Sequence, residues 1–177
     1  EGNGNDSADT NHGRLQGGAS FASGEVGQAF NVSRSGGTVV VPDSPSLRLT
    51  NQLTIEGWIN ARSSDTVVGC AIVSKISINS GNNGYQFILV GNTLQGLFNS
   101  PGTIWPSQRI ISGPIITTGA WYHVAFTYDQ SAMKLYCNGQ PVATNVIGAH
   151  PIATSPSELR ISGADNHGFL DGFIDEV

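Results

Sequence analysis

The stretch AWYHVAFTYDQSAMKLYCNGQPVAT, residues 120–144, decides the fold. It reads as two apolar strands around a polar turn, followed by a second turn at Asn138-Gly139. Asn-Gly between β-prone runs is a strong local hairpin signal, because both positions of the tightest hairpin turn need positive φ. No catalytic constellation lies within the stretch. Its residues specify scaffold, so any function must be sought in loops or on a sheet face.

The same grammar extends in both directions. Leu53–Ala61, LTIEGWINA, alternates with Leu53, Ile55 and Ile59 on one face and Thr54, Glu56 and Trp58 on the other. Residues 67–78 form a nearly continuous apolar run, the pattern of a strand inside a sheet. SGNNG at 80–84 signals a turn, and Tyr85–Val90 and Thr93–Asn99 form a hairpin around Gly91-Asn92. Further short strands are predicted at 29–32, 38–41, 109–111, 115–117, 158–162 and 169–177. Residues 1–13 are polar and read as a loop. About a dozen turn-punctuated strands predict an all-β chain, either a two-sheet antiparallel sandwich or a closed barrel. No helix-length window shows the 3.6-residue period, and no repeat or linker divides the chain, so residues 1–177 are expected to form one domain.

Composition narrows the function. Charged residues make up 12% of the chain and the formal net charge is −5, with eight Lys and Arg scattered along it. Nucleic-acid binding needs clustered positive charge, so that class is disfavoured, as is attraction to anionic membranes. No run approaches the length of a membrane span, so membrane insertion is not expected. The opening EGNGNDSADTNHG has no signal-peptide character and reads as a mature or excised module of a longer protein with other domains. The two cysteines, Cys70 and Cys137, lack metal spacing. They are either small buried hydrophobes or one disulfide of a secreted protein. Asn31-Val32-Ser33 matches a glycosylation sequon, which a bacterial-looking chain carries by coincidence.

GWIN after the LTIE strand, GAWYHVAFTYD, KLYCNGQPVA, LRISGA and GFIDEV occur in that order. Together they resemble the laminin-G-like, concanavalin A-like jelly-roll domains of secreted and cell-surface proteins. NDSADTNHGRLQGGASFASGEVGQAFNV resembles the opening of the bacterial branch of that family. The resemblance implies two curved antiparallel sheets stacked face to face. It also implies a secreted or surface location and a carbohydrate-binding or adhesion role alongside other domains. Some relatives are glycoside hydrolases, which carry an acid-rich strand of the type Glu-x-Asp-x-x-Glu.

That pattern fails here. Glycoside hydrolysis needs two carboxylates across the scissile bond. Glu56 stands alone, and Asp171 and Asp175 share a parity with no glutamate on that face. His12, His123, His150 and His167 have no serine elbow or cysteine partner close in sequence. His123, mid-strand, is expected to be structural. The chain is therefore expected not to be an enzyme.

Two candidate sites remain. Residues 5–13 are rich in hard oxygen donors, which suits the oxygen cage of calcium. Asp175 falls on the last strand in register with Phe173 and Val177, and a buried charge there wants a partner or a metal. In related folds a calcium ion ties the amino-terminal segment to the last strand. The expected structural calcium ligands are Asp6, Asn11, His12 and Asp175, with backbone oxygens of residues 11–13. For a glycan or other cell-surface ligand, Trp105, in a loop between prolines, is the expected exposed platform. Asn82, Asn83 and Tyr85 on one loop, and Asp165, Asn166 and His167 on another, supply polar partners. Trp58 and Trp121 are expected in the core.

Overall fold

The structure, a computed structural model, describes residues 2–63, 69–103 and 109–177. Fifteen strands lie among the described residues. They are β1 (Arg14–Gln16), β2 (Ser20–Ser23), β3 (Gln28–Val32), β4 (Thr38–Val41), β5 (Leu53–Ser63), β6 (Cys70–Ser77), β7 (Asn83–Val90) and β8 (Thr93–Phe98). There follow β9 (Arg109–Ile115), β10 (Tyr122–Tyr128), β11 (Ala132–Cys137), β12 (Gln140–Val146), β13 (Leu159–Ile161), β14 (Gly168–Phe169) and β15 (Asp171–Asp175).

They form two sheets, a sandwich and not a closed barrel. The first runs β1-β4-β13-β6-β7-β8-β9, and the second runs β12-β11-β10-β5-β15-β3-β2. Pairing is antiparallel throughout, except that the two-residue β14 lies parallel to β6. The amino-terminal region supplies β1 and β2, which sequence reading left unassigned. Gly113-Pro114 does not split β9 into the two short strands expected, because β9 is an edge strand and the proline's missing N–H costs no ladder bond there.

Residues 120–144 fold as read. β10 and β11 form a hairpin whose turn is held by the Asp129 carboxylate, accepting from the amides of Ser131 and Ala132 at 2.9 and 2.8 Å. The second turn places Asn138 and Gly139 at φ 50° and 76°, the pair of positive values that a tight hairpin demands. Cys70 and Cys137 are thiols, one on each sheet.

The core lies between the sheets. β5 alternates as expected, turning Leu53, Ile55, Ile59 and Ala61 inward. β10 adds Val124, Phe126 and Tyr128, which meet Phe87 and Phe98 of the opposite sheet at ring separations of 6.1 and 4.7 Å. Gly96 allows this closeness, since a Cβ there would stand 2.4 Å from the Phe126 ring.

One inward position is charged. Lys75, central in β6, is 1% exposed, and its Nζ donates to Asp43 Oδ1 at 2.6 Å and to the Ser157 carbonyl at 2.5 Å. Asp43 also takes a guanidinium from Arg48. Beside it, the Tyr85 hydroxyl donates to the Leu47 carbonyl, and burial pushes its pKa up.

Candidate functional site

The amino-terminal loop and the end of β15 close one cleft of about 390 Å³. Asn3, Asn5, Asp6, Asn11, Asp175 and Glu176 line it, together with Phe21 and Phe30. Among the described residues no Lys, Arg or His lines it. Asp6 holds its own loop: Oδ1 accepts from the Ala8 amide at 2.9 Å and Oδ2 from the Asn11 amide at 3.2 Å. Those amides, Ala8 first, draw its pKa below the ordinary carboxylate value. Asn11 Oδ1 accepts from Ser44, anchoring the loop to the segment after β4. Asp175 is 3% exposed and its Oδ2 accepts from the Val26 amide in the β2–β3 turn at 2.8 Å. Asp6, Asn11 and Asp175 thus line one cleft. His12 is exposed and turns Nδ1 to the Asp6 amide at 3.1 Å, away from the cleft lining. That bond engages Nδ1 in closing the loop.

The donor set suits a hard divalent cation: three carboxylates, neutral amide side chains and, among the described residues, no competing base. Among the described residues no three His, Cys, Asp or Glu side chains converge as a metal group, so amide and backbone oxygens would complete a shell.

A second cleft, about 280 Å³, opens on the outer side of the first sheet. Arg160 of β13 spans it, with Glu158 at 2.8 Å and Asp165 at 3.4 Å, and Ser74 and Ser157 line its walls. The loop 164–168 reaches this sheet face. Gln86, fully buried, donates from Nε2 to Ser74 Oγ and to Asn166 Oδ1, each at 2.9 Å. Gln86 Oε1 and His167 Nδ1 are buried with no hydrogen-bond partner, and burial lowers the His167 pKa. Asp165 therefore lines the cleft together with Arg160 and Glu158, which sequence reading missed, whereas Asn166 is held by Gln86 and the His167 ring lies beside Gly69.

The other expected rim residues do not join them. Tyr85 is 3% exposed and belongs to the core, because its position in β7 shares inward parity with Phe87. Asn82 and Asn83 sit at the start of β7, where the Asn82 carbonyl accepts from buried Asn99 at 2.7 Å. Trp105 lies outside the described residues.

The tryptophans of the strand motifs are also placed otherwise than expected. Trp58 and Trp121 are half-buried on the outer face of the second sheet, not in the core. β5 alternation forces this for Trp58, since Ile55 and Ile59 take the inner face. Its ring meets His123 edge-on at 5.3 Å. Trp121 meets Phe173 at 6.1 Å, and the Arg62 guanidinium lies 4.7 Å over the Phe173 ring. Arg62 also pairs with Asp171, which burial works to neutralise but Ser63 and Arg62 keep below the ordinary carboxylate value.

A family model described as the concanavalin A-like lectin/glucanases superfamily matches residues 33–177. No curated protein sequence matches the chain. Among solved structures, similarity extends to the binding domain of Paraclostridial Mosquitocidal Protein 1, with TM-score 0.71 and 14% identity over 94% of this chain and 44% of that one. Domain 4 of AbnA, a GH43 extracellular arabinanase from Geobacillus stearothermophilus in complex with arabinotriose, gives TM-score 0.68 and 19% identity over 98% of this chain and 84% of that one. The botulinum neurotoxin serotype G binding domain gives 0.68 and 14% over 94% and 44%. The chain thus spans less than half of either toxin domain. At these identities the likeness is one of fold.

Proposed function

We propose, from the premise that this chain belongs to the concanavalin A-like lectin/glucanases superfamily, that it is a non-catalytic extracellular module that binds glycans. The observation that carries this reading is the Arg160 cleft. A guanidinium fixed between two carboxylates, with serine hydroxyls beside it, offers alternating donors and acceptors to vicinal sugar hydroxyls. The acids have other partners than a scissile bond. Glu158 and Asp165 both engage Arg160, Asp171 engages Arg62 and Ser63, and Asp175 accepts from an amide. Glycan-array binding with micromolar to millimolar Kd, lost in Arg160→Ala at unchanged fold, is the expected result. Turnover of a polysaccharide by the isolated chain defeats the non-catalytic half of the reading.

A calcium ion held by Asp6, Asp175 and amide oxygens is part of the proposal, pinning the amino-terminal loop to β15. Its chemistry there is structural, since the ion would add bonds between two segments that both line this cleft.

A second reading, a protein-adhesion domain without sugar affinity, draws on the β9 and β12 edges. Ile110, Ile115, Val142 and Val146 are 42%, 74%, 38% and 76% exposed there. Exposed apolar side chains on two neighbouring sheet edges suit a protein partner. Capture of a surface protein that disappears in Ile115→Lys/Val146→Lys, with no glycan bound by the parent chain, would favour it.

A further inference from the structure

One end of the sandwich holds a surplus of positive charge. Lys75, Tyr85, Phe98 and Arg109 are successive register partners across β6, β7, β8 and β9. Tyr85 and Phe98 face the core, so the two cations at either end of this rung turn inward as well. Lys75 is neutralised by Asp43. Arg109 is half-buried, and among the described residues no carboxylate pairs with it. Its Nη2 donates to His150 Nδ1 at 3.4 Å, and its Nε is buried with no hydrogen-bond partner. Asp43 itself serves two cations, Lys75 and Arg48, so it cannot balance both.

The loops that wall this end are tied to one another. Ile152 N donates to the Thr50 carbonyl and Ala153 N to the Asn99 carbonyl, each at 2.7 Å. The Tyr128 hydroxyl accepts from His150 N at 2.6 Å and lies 2.9 Å from the Gly148 carbonyl, while Tyr85 holds the Leu47 carbonyl. Pro42, Pro45, Pro101, Pro151 and Pro156 are exposed along the same loops, and each fixes its own φ. The wall is therefore shaped before any partner arrives, which lowers the ordering cost of binding. Residues 44–50, 99–108 and 148–157 contain no Asp or Glu. The acids at the margins are occupied. Asp129 accepts from the amides of its own turn with Lys134 3.8 Å away, and Glu158 pairs with Arg160. The whole chain carries a formal net charge of −5, so an acidic partner is repelled by the molecule at large and drawn to this end. An arginine with no acid of its own meets a carboxylate through a planar fork of parallel donors.

We infer that this end of the sandwich docks an acidic peptide segment of a protein partner, with Arg109 taking a carboxylate and Arg48 and His150 on the same wall. The inference does not depend on glycan binding at the Arg160 cleft.

Fluorescence anisotropy tests it on the whole chain with two fluorescein-labelled octapeptides, one alternating Glu and Ser, the other alternating Gln and Ser. At about 50 mM sodium chloride the Glu peptide should bind, with an affinity that falls as salt rises, and the Gln peptide should not. Arg109→Ala should raise the Kd by about fivefold or more, and Arg109→Lys, which keeps the charge and loses the fork, should recover part of it. Thr154→Glu adds an acid at an exposed position of the wall and should weaken binding with Arg109 intact, which decides the matter if Arg109→Ala fails to fold. Arg34→Ala, at an exposed arginine on another part of the surface, should bind as the parent chain does. No binding of the Glu peptide at low salt, equal binding of the Gln peptide, or full affinity in folded Arg109→Ala or in Thr154→Glu overturns the inference. A loss in Arg34→Ala as large as that in Arg109→Ala also overturns it, since that reports net charge and not a site. Heparin bound through Arg109 by a chain that takes no Glu peptide overturns it in favour of an anionic polysaccharide.

Discussion

A lysine placed in the middle of a buried strand is the most consequential residue of the scaffold. Lys75 is charged in a position where its neighbours are apolar, and Asp43 is the acid that makes this tolerable. Removing one partner of a buried pair leaves an uncompensated charge, which costs about 3–5 kcal/mol. Asp43→Ala should therefore lower the unfolding free energy by about 3 kcal/mol in urea. Adding Lys75→Met should return most of it, because a hydrophobe of similar volume carries no desolvation penalty. The Arg48 guanidinium, with Lys75, holds the Asp43 carboxyl down to about 2, well below the ordinary carboxylate range. A depressed folded-state pKa contributes stability that is fully present above the unfolded value and is lost as pH falls toward the folded one. Acid titration of the parent chain should accordingly show a loss of stability between about pH 4 and pH 2 that is smaller in Asp43→Ala. Gly96 is the other sensitive residue. Gly96→Ala drives a methyl into the Phe126 ring and should cost about 1–3 kcal/mol, read from the same urea curves.

At the scale of the element, the hairpin around Asn138-Gly139 was legible because its signal is local. Positive φ at consecutive positions admits few residues, so the dipeptide announces the turn. Gly139→Val should lower the melting midpoint, at a cost of about 1–2 kcal/mol, whereas Asn138→Gly should leave it nearly unchanged. Period-two alternation likewise gave the inward face of β5, and the apolar run gave the central position of β6. The same alternation already placed Trp58 outside; expecting core from its place in a strand motif overrode the parity of its own strand. β1 and β2 were not legible, since strands of three and four residues with exposed ends carry too little pattern and exist by pairing with β4 and β3. Arg160 escaped notice for a related reason. Its partners at 158 and 165 come from either side of β13, and only the fold of the loop 164–168 shows them on one guanidinium.

For the molecule as a whole, the proposed calcium ion in the amino-terminal cleft would make stability answer to metal. Calcium at one hundred times its Kd should stabilise the chain by about 2.7 kcal/mol, seen as a higher melting midpoint that EDTA reverses. Asp6→Ala should abolish the response. Identical midpoints with calcium and with EDTA in the parent chain would refute the ion. The joining of Asp6, Asn11 and Asp175 was predictable only through family likeness, because residues 6 and 175 are at opposite ends of the sequence and nothing local pairs them.

The last strand does not sit at a margin. β15 is inserted between β5 and β3, just as β13 is inserted between β4 and β6. Each sheet therefore has a gap in its interior until late residues arrive to fill it. On the ribosome, strands synthesised early must wait, with open ladder edges, for partners more than a hundred residues downstream. Such closure is entropically slow, on the order of milliseconds to seconds once the chain is released. A nascent chain halted before residue 159, lacking both β13 and β15, should remain protease-sensitive throughout, with neither sheet surviving as an intermediate.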